Sequence, residues 1–362
     1  MNVTKLELVN FRNYEKIKLE NLSNINLIIG LNGSGKTSIL ESIYVLSLAR
    51  SFKSNLETNL IKHDKNTLKI KAEINNFNKI KKLEYSLNAY GKKTKINGNL
   101  KKKISDYIFQ YKVVLFAPQE LQFIVGSPNT RRNYLNISLS QLNKSYMREL
   151  KTYNTLIKNK NDYYKKMYVN SNLDSIYLDI IDNKISEVGY EIYLKRVEYV
   201  EKINKYLKRI FKKFNKSGEV YLKYSSHFDG YNSDSFKDLL KKNRKKEINY
   251  GLTKTGIHRD ELEFLYNGVN VKDFCSQGIQ KLVLLTYKLA ELEVLINDYY
   301  EKPILLLDDL FSELDTINQN KVLQILNKDI QIFVTTTDLN NIKKSIIKKA
   351  NIIDLGSEKY GK

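Results

Sequence analysis

The sequence predicts an α/β fold in which a mixed sheet with an antiparallel sub-sheet carries an inserted helical lobe. Three features indicate this class: an apolar strand that runs into a glycine-rich loop and a helix, period-two alternation after it, and a long helical region that interrupts the strands. A chain of 362 residues is long enough for two domains or for one domain with an insertion. We expect the α/β lobe to comprise residues 1–126 and 218–362, and the helical lobe residues 127–217.

The first element of this pattern is a strand, a loop and a helix in direct succession. Residues 25–29 predict a buried strand and residues 37–46 predict a helix. Between them lies G-x-x-x-x-G-K-T, a phosphate-binding loop. Glycines let backbone N–H groups curve around phosphates, and the helix N-terminus adds a positive dipole end. The predicted nucleotide-binding residues are Gly30, Leu31, Asn32, Gly33, Ser34, Gly35, Lys36, Thr37 and Ser38.

Two of these side chains have specific predicted roles. We expect Lys36 to reach the β- and γ-phosphates of ATP and the Thr37 hydroxyl to bind Mg²⁺. The alternative is a glycine-rich turn with an exposed lysine that arose by chance. That alternative does not account for the strand and the helix on either side of the loop.

The next elements are strands with one buried face. Apolar and polar side chains alternate over residues 68–74 and 83–89, with turns predicted at Gly91 and at Asn97-Gly98. These stretches predict the antiparallel sub-sheet.

The helical lobe is predicted from about Pro128 to Lys216. Apolar stripes at helical spacing run through residues 142–153 and 181–214, and the polar segment 170–172 separates them. We expect a helical hairpin whose stripes form a bundle core rather than a cofactor site.

The chain then returns to strands and to a strand–helix rhythm. A hairpin turn is predicted at Asn267-Gly268. The predicted elements after it are helix 277–298, strand 303–308, helix 316–327 and strand 331–335.

The strand at 303–308 ends in two carboxylates, which is the form of a Walker B motif. We expect Asp308 to hold Mg²⁺ and Asp309 to act as the catalytic base, with Lys36 as the other catalytic residue. Asp is one methylene shorter than the Glu common at the base position, so hydrolysis should be slow. The alternative role of the two acids is to cap the following helix. After the next strand, Thr336 or Thr337 would sense the γ-phosphate.

The segment Ser276-Gln277-Gly278 stands at the start of a predicted amphipathic helix. Ser276 is a natural N-cap, and a capped helix start that contains glycine favours anions. This segment resembles the signature motif of ABC-type ATPases. An ordinary capped helix is the alternative.

Composition narrows the class of partner. Lys and Arg number 61 against 40 Asp and Glu, a net charge of +21, which favours DNA or another polyanion. An A+T-rich genome would also raise the lysine content without selection for binding.

The mean hydropathy of −0.46 and the lack of an apolar run of about 18 residues predict no membrane span. With one cysteine, Cys275, and no signal peptide pattern at the N-terminus, we expect a cytoplasmic protein.

The phosphate loop, signature and Walker B occur in the order of the ABC ATPases, and further stretches narrow the resemblance. The chain is similar to the RecF family of DNA replication and repair proteins from about residue 3 to about residue 355. The stretches that carry the resemblance are Asn10-Phe11-Arg12-Asn13-Tyr14, Arg50-Ser51-Phe52-Lys53, Phe116-Ala117-Pro118-Gln119-Glu120-Leu121, residues 126–132, Gly256-Ile257-His258-Arg259-Asp260-Glu261-Leu262 and the Ser276-Gln277-Gly278 signature, and the segment 311–315 follows Walker B as in the ABC order.

This resemblance implies an ABC-type P-loop ATPase head, related to SMC heads, with a short helical lobe. It implies an ATP-dependent homodimer that binds duplex DNA and single/double-strand junctions. It also implies partnership with RecR and RecO in loading recombinase onto gapped DNA, a role in SOS induction, and weak ATP hydrolysis that releases the dimer. By position, Arg12 would lie near the nucleotide, Gln119 near the loop that senses the γ-phosphate, and Ser276 and Gly278 would cap the γ-phosphate of the other subunit.

Departures from the family pattern leave alternatives open. Ile279 stands where the family usually has Gln, and Gln280, one position later, is a candidate substitute. Two further departures are Lys281 in place of Arg and Asn136 in place of Asp. A nucleotide-binding scaffold without significant catalysis is therefore one alternative. A transporter-associated ABC ATPase is another, which the net charge and the absence of an L-S-G-G-Q signature disfavour.

Overall fold

The computed structural model describes most of the chain, namely residues 1–76, 79–169, 175–309, 318–319, 321–322, 330–339, 342 and 344–356. The chain packs into two compact units. The first is Met1–Glu120 with Glu291–Lys362, and the second is Leu121–Ala290. The division of the chain at 126/127 and 217/218, into an α/β lobe and an inserted helical lobe, stays a prediction from the sequence pattern.

The first unit contains a six-stranded sheet in the order β2-β1-β4-β5-β6-β7, and all its pairs are antiparallel. The predicted period-two strands are confirmed, because the apolar positions of 68–74 are buried while the residues between them are more exposed. The turn at Asn97-Gly98 is also present, whereas β5 ends before Ala89, which is exposed in the turn. The strands are β1 (Asn2–Phe11), β2 (Tyr14–Leu19), β4 (Thr67–Asn76), β5 (Lys79–Asn88), β6 (Gly91–Ile96) and β7 (Asn99–Leu100).

The first unit also contains a five-stranded parallel sheet in the order β14-β3-β13-β12-β8. Every residue of β8, β12 and β13 is buried, as expected for strands covered on both faces. Their carboxyl ends lie at one edge, which positions the loops that follow them. The elements are β3 (Ile25–Ile29), β8 (Val113–Phe116), β12 (Ile304–Leu307), β13 (Gln331–Thr336), β14 (Asn351–Asp354), helix α1 (Lys36–Leu48) and the short α9 (Lys344–Ile347).

The second unit is mainly helical and holds a three-stranded antiparallel sheet, β11-β10-β9. Its longest helix, α5, has 39 residues and a length of about 58 Å. The predicted hairpin turn at Asn267-Gly268 joins β10 and β11. The elements are α2 (Gln122–Val125), α3 (Pro128–Leu142), α4 (Lys144–Val169), α5 (Ile176–Phe214), β9 (Val220–Ser225), α6 (Ser233–Tyr250), β10 (Glu261–Tyr266), β11 (Val269–Asn270), α7 (Val271–Phe274) and α8 (Gln277–Asn297), which contains the boundary between the units.

One predicted helical stripe, 142–153, turns out to be wrong as a single helix. Asn143 has an extended backbone, and its side chain accepts hydrogen bonds from the N–H groups of Ser145 and Tyr146. An Asn in this conformation caps the next helix, so α3 ends and α4 begins there. The stripe survives across the break because Tyr146 and Tyr153 are both buried.

Four 3-10 turns complete the described structure, at Glu57–Leu60, Ile104–Asp106, Pro118–Leu121 and Ile257–Arg259. The polar break 170–172, the segment 311–315 and most of the predicted helix 316–327 lie outside the described residues. None of the described helices combines the length and the apolar character needed to cross a bilayer.

Candidate functional site

The candidate site is built by loops that leave the parallel sheet at one edge. β3 runs into the phosphate loop, β12 into Asp308 and Asp309, and β8 into the turn that holds Gln119, while β13 ends at Thr336 and is followed by Thr337. Because neighbouring strands are parallel, their carboxyl ends bring these loops together, which is where open α/β sheets bind ligands. Most of the predicted site thus lies within the first unit.

The phosphate loop has a backbone that requires glycine at two positions. Gly33 has φ 82°, in the left-handed region, and Gly35 has φ 100°. A Cβ on Gly35 would also lie 2.5 Å from the hydroxyl oxygen of Tyr14. That hydroxyl donates to the carbonyl oxygen of Ser34 at 3.2 Å, and burial raises the pKa of Tyr14 and keeps it a neutral donor. Tyr14 therefore braces the loop from outside.

The start of α1 leaves backbone donors for an anion. The helix begins at Lys36, and its N-cap, Gly35, provides no side-chain hydrogen bond to the first turn. The Lys36 ammonium is buried and donates to the carbonyl oxygens of Gly30 at 2.7 Å and Leu31 at 3.1 Å. These contacts hold the ammonium over the loop, so backbone dipole and side-chain charge act at the same place.

Asp308 meets Thr37 at the sheet edge. Burial raises the pKa of Asp308, and hydrogen bonds from Thr335 and Thr37 oppose that shift. The hydroxyl of Thr335 donates to Asp308 Oδ1 at 2.9 Å. The two residues predicted to bind Mg²⁺, one on the loop helix and one after β12, are therefore hydrogen-bonded neighbours.

Thr335 is a site residue that sequence reasoning missed, since the prediction named Thr336 and Thr337. β13 lies between β3 and β12, and the Thr335 hydroxyl also accepts the backbone N–H of Asp309 at 2.9 Å. Asp309 has φ 50°, a left-handed conformation that this bond helps to hold. Thr336 is buried, and its hydroxyl donates to the carbonyl oxygen of Asp338 at 2.8 Å. In the sequence, the signal for this role was the run of three threonines at 335–337. Neighbouring residues of a strand face opposite sides of the sheet, so Thr335 and Thr336 cannot contact the same groups.

Arg12, which directly follows β1, forms an ion pair with Glu41 on α1. Its guanidinium donates to both carboxylate oxygens of the fully buried Glu41, at 2.8 and 2.6 Å, and to the carbonyl oxygen of Asn59 at 2.7 Å. The Ser51 hydroxyl donates to the same carboxylate at 2.5 Å. Glu41 was not predicted, although one carboxylate within an otherwise apolar part of a helix signals a buried partner.

Other predicted residues lie at more exposed positions. Gln119 is exposed in the 3-10 turn after β8. Ser276 and Gly278 belong to the second unit and are exposed at the start of α8, where the Ser276 hydroxyl oxygen accepts the N–H of Ile279 at 3.5 Å. A Cβ on Gly278 would have no neighbour closer than 3.9 Å.

Gln280 does not substitute for the family glutamine, which corrects the sequence interpretation. Its side chain is buried and donates to the carbonyl oxygens of Val271, Lys272 and Cys275, at 3.2–3.3 Å. The amide therefore caps the short helix α7 and is not presented at the start of α8.

No cluster of three or more His, Cys, Asp or Glu that could hold a metal ion occurs among the described residues. A site with one hydroxyl and one carboxylate fits Mg²⁺ only if phosphate oxygens and water complete the shell, which is how Mg²⁺ is usually held with nucleotides. The pairing of Thr37 with Asp308 has this form.

The Gly256–Leu262 stretch forms a buried polar hub in the second unit. Arg196 donates to Asp260 Oδ2 at 2.6 Å and to the carbonyl oxygen of Ile257 at 2.8 Å, and both charged side chains are almost fully buried. Tyr224 and Ser226 also donate to the Asp260 carboxylate. The stretch therefore ties α5 to β9 and β10.

His258 in this hub is held neutral. Its Nε2 lies 3.0 Å from the carbonyl oxygen of Thr253, so Nε2 carries the proton, and its Nδ1 accepts the hydroxyl of Tyr153 at 3.0 Å. Burial lowers the pKa of His258 to about 4. In the protonated form Nδ1 would carry a proton, so the Tyr153 hydroxyl could no longer donate to it.

Acid is expected to destabilise the protein through His258. Between its folded pKa of about 4 and the value of about 6.5 in an unfolded chain, the unfolded state binds more protons. The free energy of unfolding should therefore fall as pH decreases, by about 2 kcal/mol between about pH 7 and about pH 5. Urea unfolding of wild type and His258→Gln measures this, and the variant should lose that part of the pH dependence. Equal pH dependence in both proteins would contradict the assignment.

Comparison with known proteins agrees with this architecture. Residues 2–127 match the family model of the RecF/RecN/SMC N terminal domain. The DNA replication and repair protein RecF of Ligilactobacillus salivarius (strain UCC118) is 34% identical over 367 residues, covering 99% of this chain and 97% of the relative. A solved structure of the recombination mediator protein RecF with ATP, in the RecFOR pathway, has a TM-score of 0.87 and 31% identity, covering 94% of this chain and 93% of that one.

A more distant solved structure shares the fold alone. The Smc head domain with an extended coiled coil from Pyrococcus furiosus, bound to the C-terminal domain of ScpA, has a TM-score of 0.56 and 18% identity, covering 97% of this chain and 92% of that chain. The predicted α/β fold of an ABC-type P-loop ATPase head is thereby confirmed. Since full-length similarity to RecF exceeds 30% identity, the chain belongs to the RecF family of DNA replication and repair proteins.

Proposed function

We propose that this chain is an ATP-gated DNA-binding protein of replication and recombinational repair. In this proposal ATP closes a homodimer on gapped or junction duplex DNA, and slow hydrolysis releases it. The observation that carries the proposal is the hydrogen-bonded group of Thr37, Asp308 and Thr335 beside a glycine-dependent loop. A RecF solved with ATP supports the choice of nucleotide.

Each side chain has a distinct part in this proposal. Lys36 and the free N–H groups at the start of α1 would bind the phosphates, while Thr37 and Asp308 would hold Mg²⁺, which supplies positive charge against the phosphate oxygens. Asp309, held by Thr335, would orient the attacking water as its base. These assignments follow from position at one sheet edge.

The remaining residues would complete the site. Arg12, fixed by Glu41, and Gln119 would lie near the nucleotide, and Thr336 near the γ-phosphate. Ser276 and Gly278 are exposed, as a motif that acts on the nucleotide of another subunit must be. A homodimer is therefore part of the proposal.

The cellular part of the proposal rests on family membership and charge. The net charge of +21 suits a DNA backbone. We infer action in the cytoplasm with RecR and RecO, loading of recombinase onto gapped DNA, and support of SOS induction. A relative described within the RecFOR pathway supports these partners.

Binding to a gapped duplex tests the switch. Affinity should be about tenfold higher with ATP than with ADP or without nucleotide, because coupling between two sites is typically of this size. It should also weaken as salt rises, since phosphate contacts release counterions. Asp309→Asn should bind ATP and remain on DNA longer than wild type. Equal affinity in all three nucleotide states would overturn the gating.

A second candidate function is a nucleotide-binding scaffold that recruits partner proteins without significant catalysis. Two observations favour it: the base position holds Asp309, and Gln280 is buried away from the signature. ATP turnover with and without DNA separates the two candidates. Background turnover in both conditions, with ATP binding intact, would favour the scaffold.

A further inference from the structure

Helix α6 carries a basic face that none of the motifs above uses. Its inner side is buried through Phe236, Leu240 and Glu247. Four lysines lie on its exposed side, within two turns: Lys241, Lys242, Lys245 and Lys246. The helix starts with a capping box at Asn232 and ends at Gly251 in the left-handed conformation, so both ends are fixed.

The inner side of α6 is fastened by ion pairs to α4 and α5. Arg244 donates to Asp179 and to Asp182, each at 2.8 Å. Lys160, fully buried on α4, lies 2.7 Å from Asp182 Oδ1 and 3.7 Å from Glu247. These carboxylates are paired within the helical lobe, so they hold the helix in place, and of the four outer lysines only Lys241 also contacts one of them.

Three of the outer lysines have no carboxylate within 4.0 Å among the described residues: Lys242, Lys245 and Lys246. Lys241 is the exception, since its ammonium lies 3.6 Å from Asp179. One helical turn thus presents three adjacent unpaired ammonium groups on a rigid support. Adjacent like charges repel each other, and a polyanion that lies across them relieves this repulsion. The three ammonium groups therefore favour the binding of a polyanion.

The outer face of the antiparallel sheet, which is also rich in lysine, differs in this respect. Its lysines alternate with glutamates across the strands, so that Lys71 pairs with Glu7 and Lys69 and Lys95 both pair with Glu84. Lysines of this face that have no carboxylate partner among the residues described, such as Lys16 on β2 and Lys93 on β6, have three strands between them and are about 19 Å apart. The sheet face is largely self-neutralised, and α6 is not.

We propose that the exposed lysine face of α6, formed by Lys242, Lys245 and Lys246, docks the sugar–phosphate backbone of duplex DNA. The proposal rests on the proposed DNA-binding function and locates a contact surface for it on the second unit. Lysines are point charges on flexible stems, which suits backbone contact rather than base reading. Lys242 and Lys246 are about 6 Å apart along the axis of α6. This is close to the rise of two nucleotide steps along the axis of a DNA duplex.

The test is salt-dependent binding of a blunt duplex and a gapped duplex by the full chain with ATP. The triple variant K242Q/K245Q/K246Q should bind at least about tenfold more weakly, and the slope of log affinity against log salt should shrink by roughly one per lost contact. Because these side chains are exposed, far-ultraviolet circular dichroism and the melting temperature should match wild type.

A matched control separates local contact from total charge. K16Q/K93Q/K102Q removes the same charge from exposed lysines of the first unit and should bind DNA within about threefold of wild type.

Two outcomes would overturn the inference. In the first, the α6 variant binds DNA as wild type does, with an unchanged salt slope, while wild type itself binds in an ATP-dependent way. In the second, that variant binds DNA normally but loses binding to poly-L-glutamate, which would assign the face to an acidic protein. Absence of DNA binding by wild type would instead overturn the proposed function from which this surface follows.

Discussion

Lys36→Ala is expected to reduce ATP affinity at least about 100-fold. The Lys36 ammonium is buried above the phosphate loop, on the carbonyl oxygens of Gly30 and Leu31. A hydrogen bond to a charged group contributes about 1.5–3 kcal/mol, and two such contacts to phosphate correspond to at least a 100-fold change. Truncation also releases the two carbonyl groups that the ammonium holds, which loosens the loop.

Calorimetric titration with ATP and Mg²⁺ measures this effect. The control is Lys16→Ala, which removes one charge from an exposed position on β2 and should leave ATP affinity unchanged. A thermal melt without nucleotide shows whether the Lys36 variant is folded, and the ATP-induced rise in melting temperature should disappear in it. If Lys36→Ala bound ATP within about threefold of wild type, the phosphate loop would not be the nucleotide site.

Asp260→Asn is expected to lower the free energy of unfolding by about 3–5 kcal/mol. Arg196 and Asp260 are both almost fully buried, and the guanidinium–carboxylate distance is 2.6 Å. Burial raises the pKa of Asp260, and Arg196 opposes this shift with Ser226 and Tyr224, which keeps a charged pair in a dry site. The amide would leave the charge of Arg196 buried and uncompensated. That penalty, rather than the loss of one hydrogen bond, sets the size of the effect.

Urea unfolding followed by circular dichroism measures the change. Glu198→Gln breaks a pair between the exposed Glu198 and the half-buried Lys202 on the same helix, α5, and should cost less than about 1 kcal/mol. Arg196→Met combined with Asp260→Leu removes both charges and should be less destabilising than the sum of the single variants. A loss of under about 1 kcal/mol for Asp260→Asn would mean that water reaches the pair.

Much of the candidate nucleotide site was predictable because its first part is contiguous in sequence. The strand at 25–29, the loop and the helix α1 occupy neighbouring positions, and both glycine conformations follow from the loop type. Likewise, the apolar run that ends in Asp308 predicts a buried strand by its composition alone. The local sequence pattern was enough to predict these parts of the site because their residues are adjacent in the chain.

Other site features depend on which strands become neighbours. Thr335 reaches Asp308 only because β13 lies between β3 and β12, an order that composition does not specify. Arg12 meets Glu41 across 29 positions, and Arg196 meets Asp260 across 64. Periodicity describes one element at a time and carries no information about such pairs.

The sequence by itself determined the α/β class, the phosphate loop and the positions of the carboxylates, since each depends on local backbone preference and burial pattern. Only the tertiary structure decided that Gln280 caps α7, that Asn143 divides the predicted helix, and that three lysines of α6 have no carboxylate partner within the described part of the chain. The physical reason is that hydrogen-bond partners and counter-charges come from residues distant in sequence. Their availability depends on packing rather than on the residue itself.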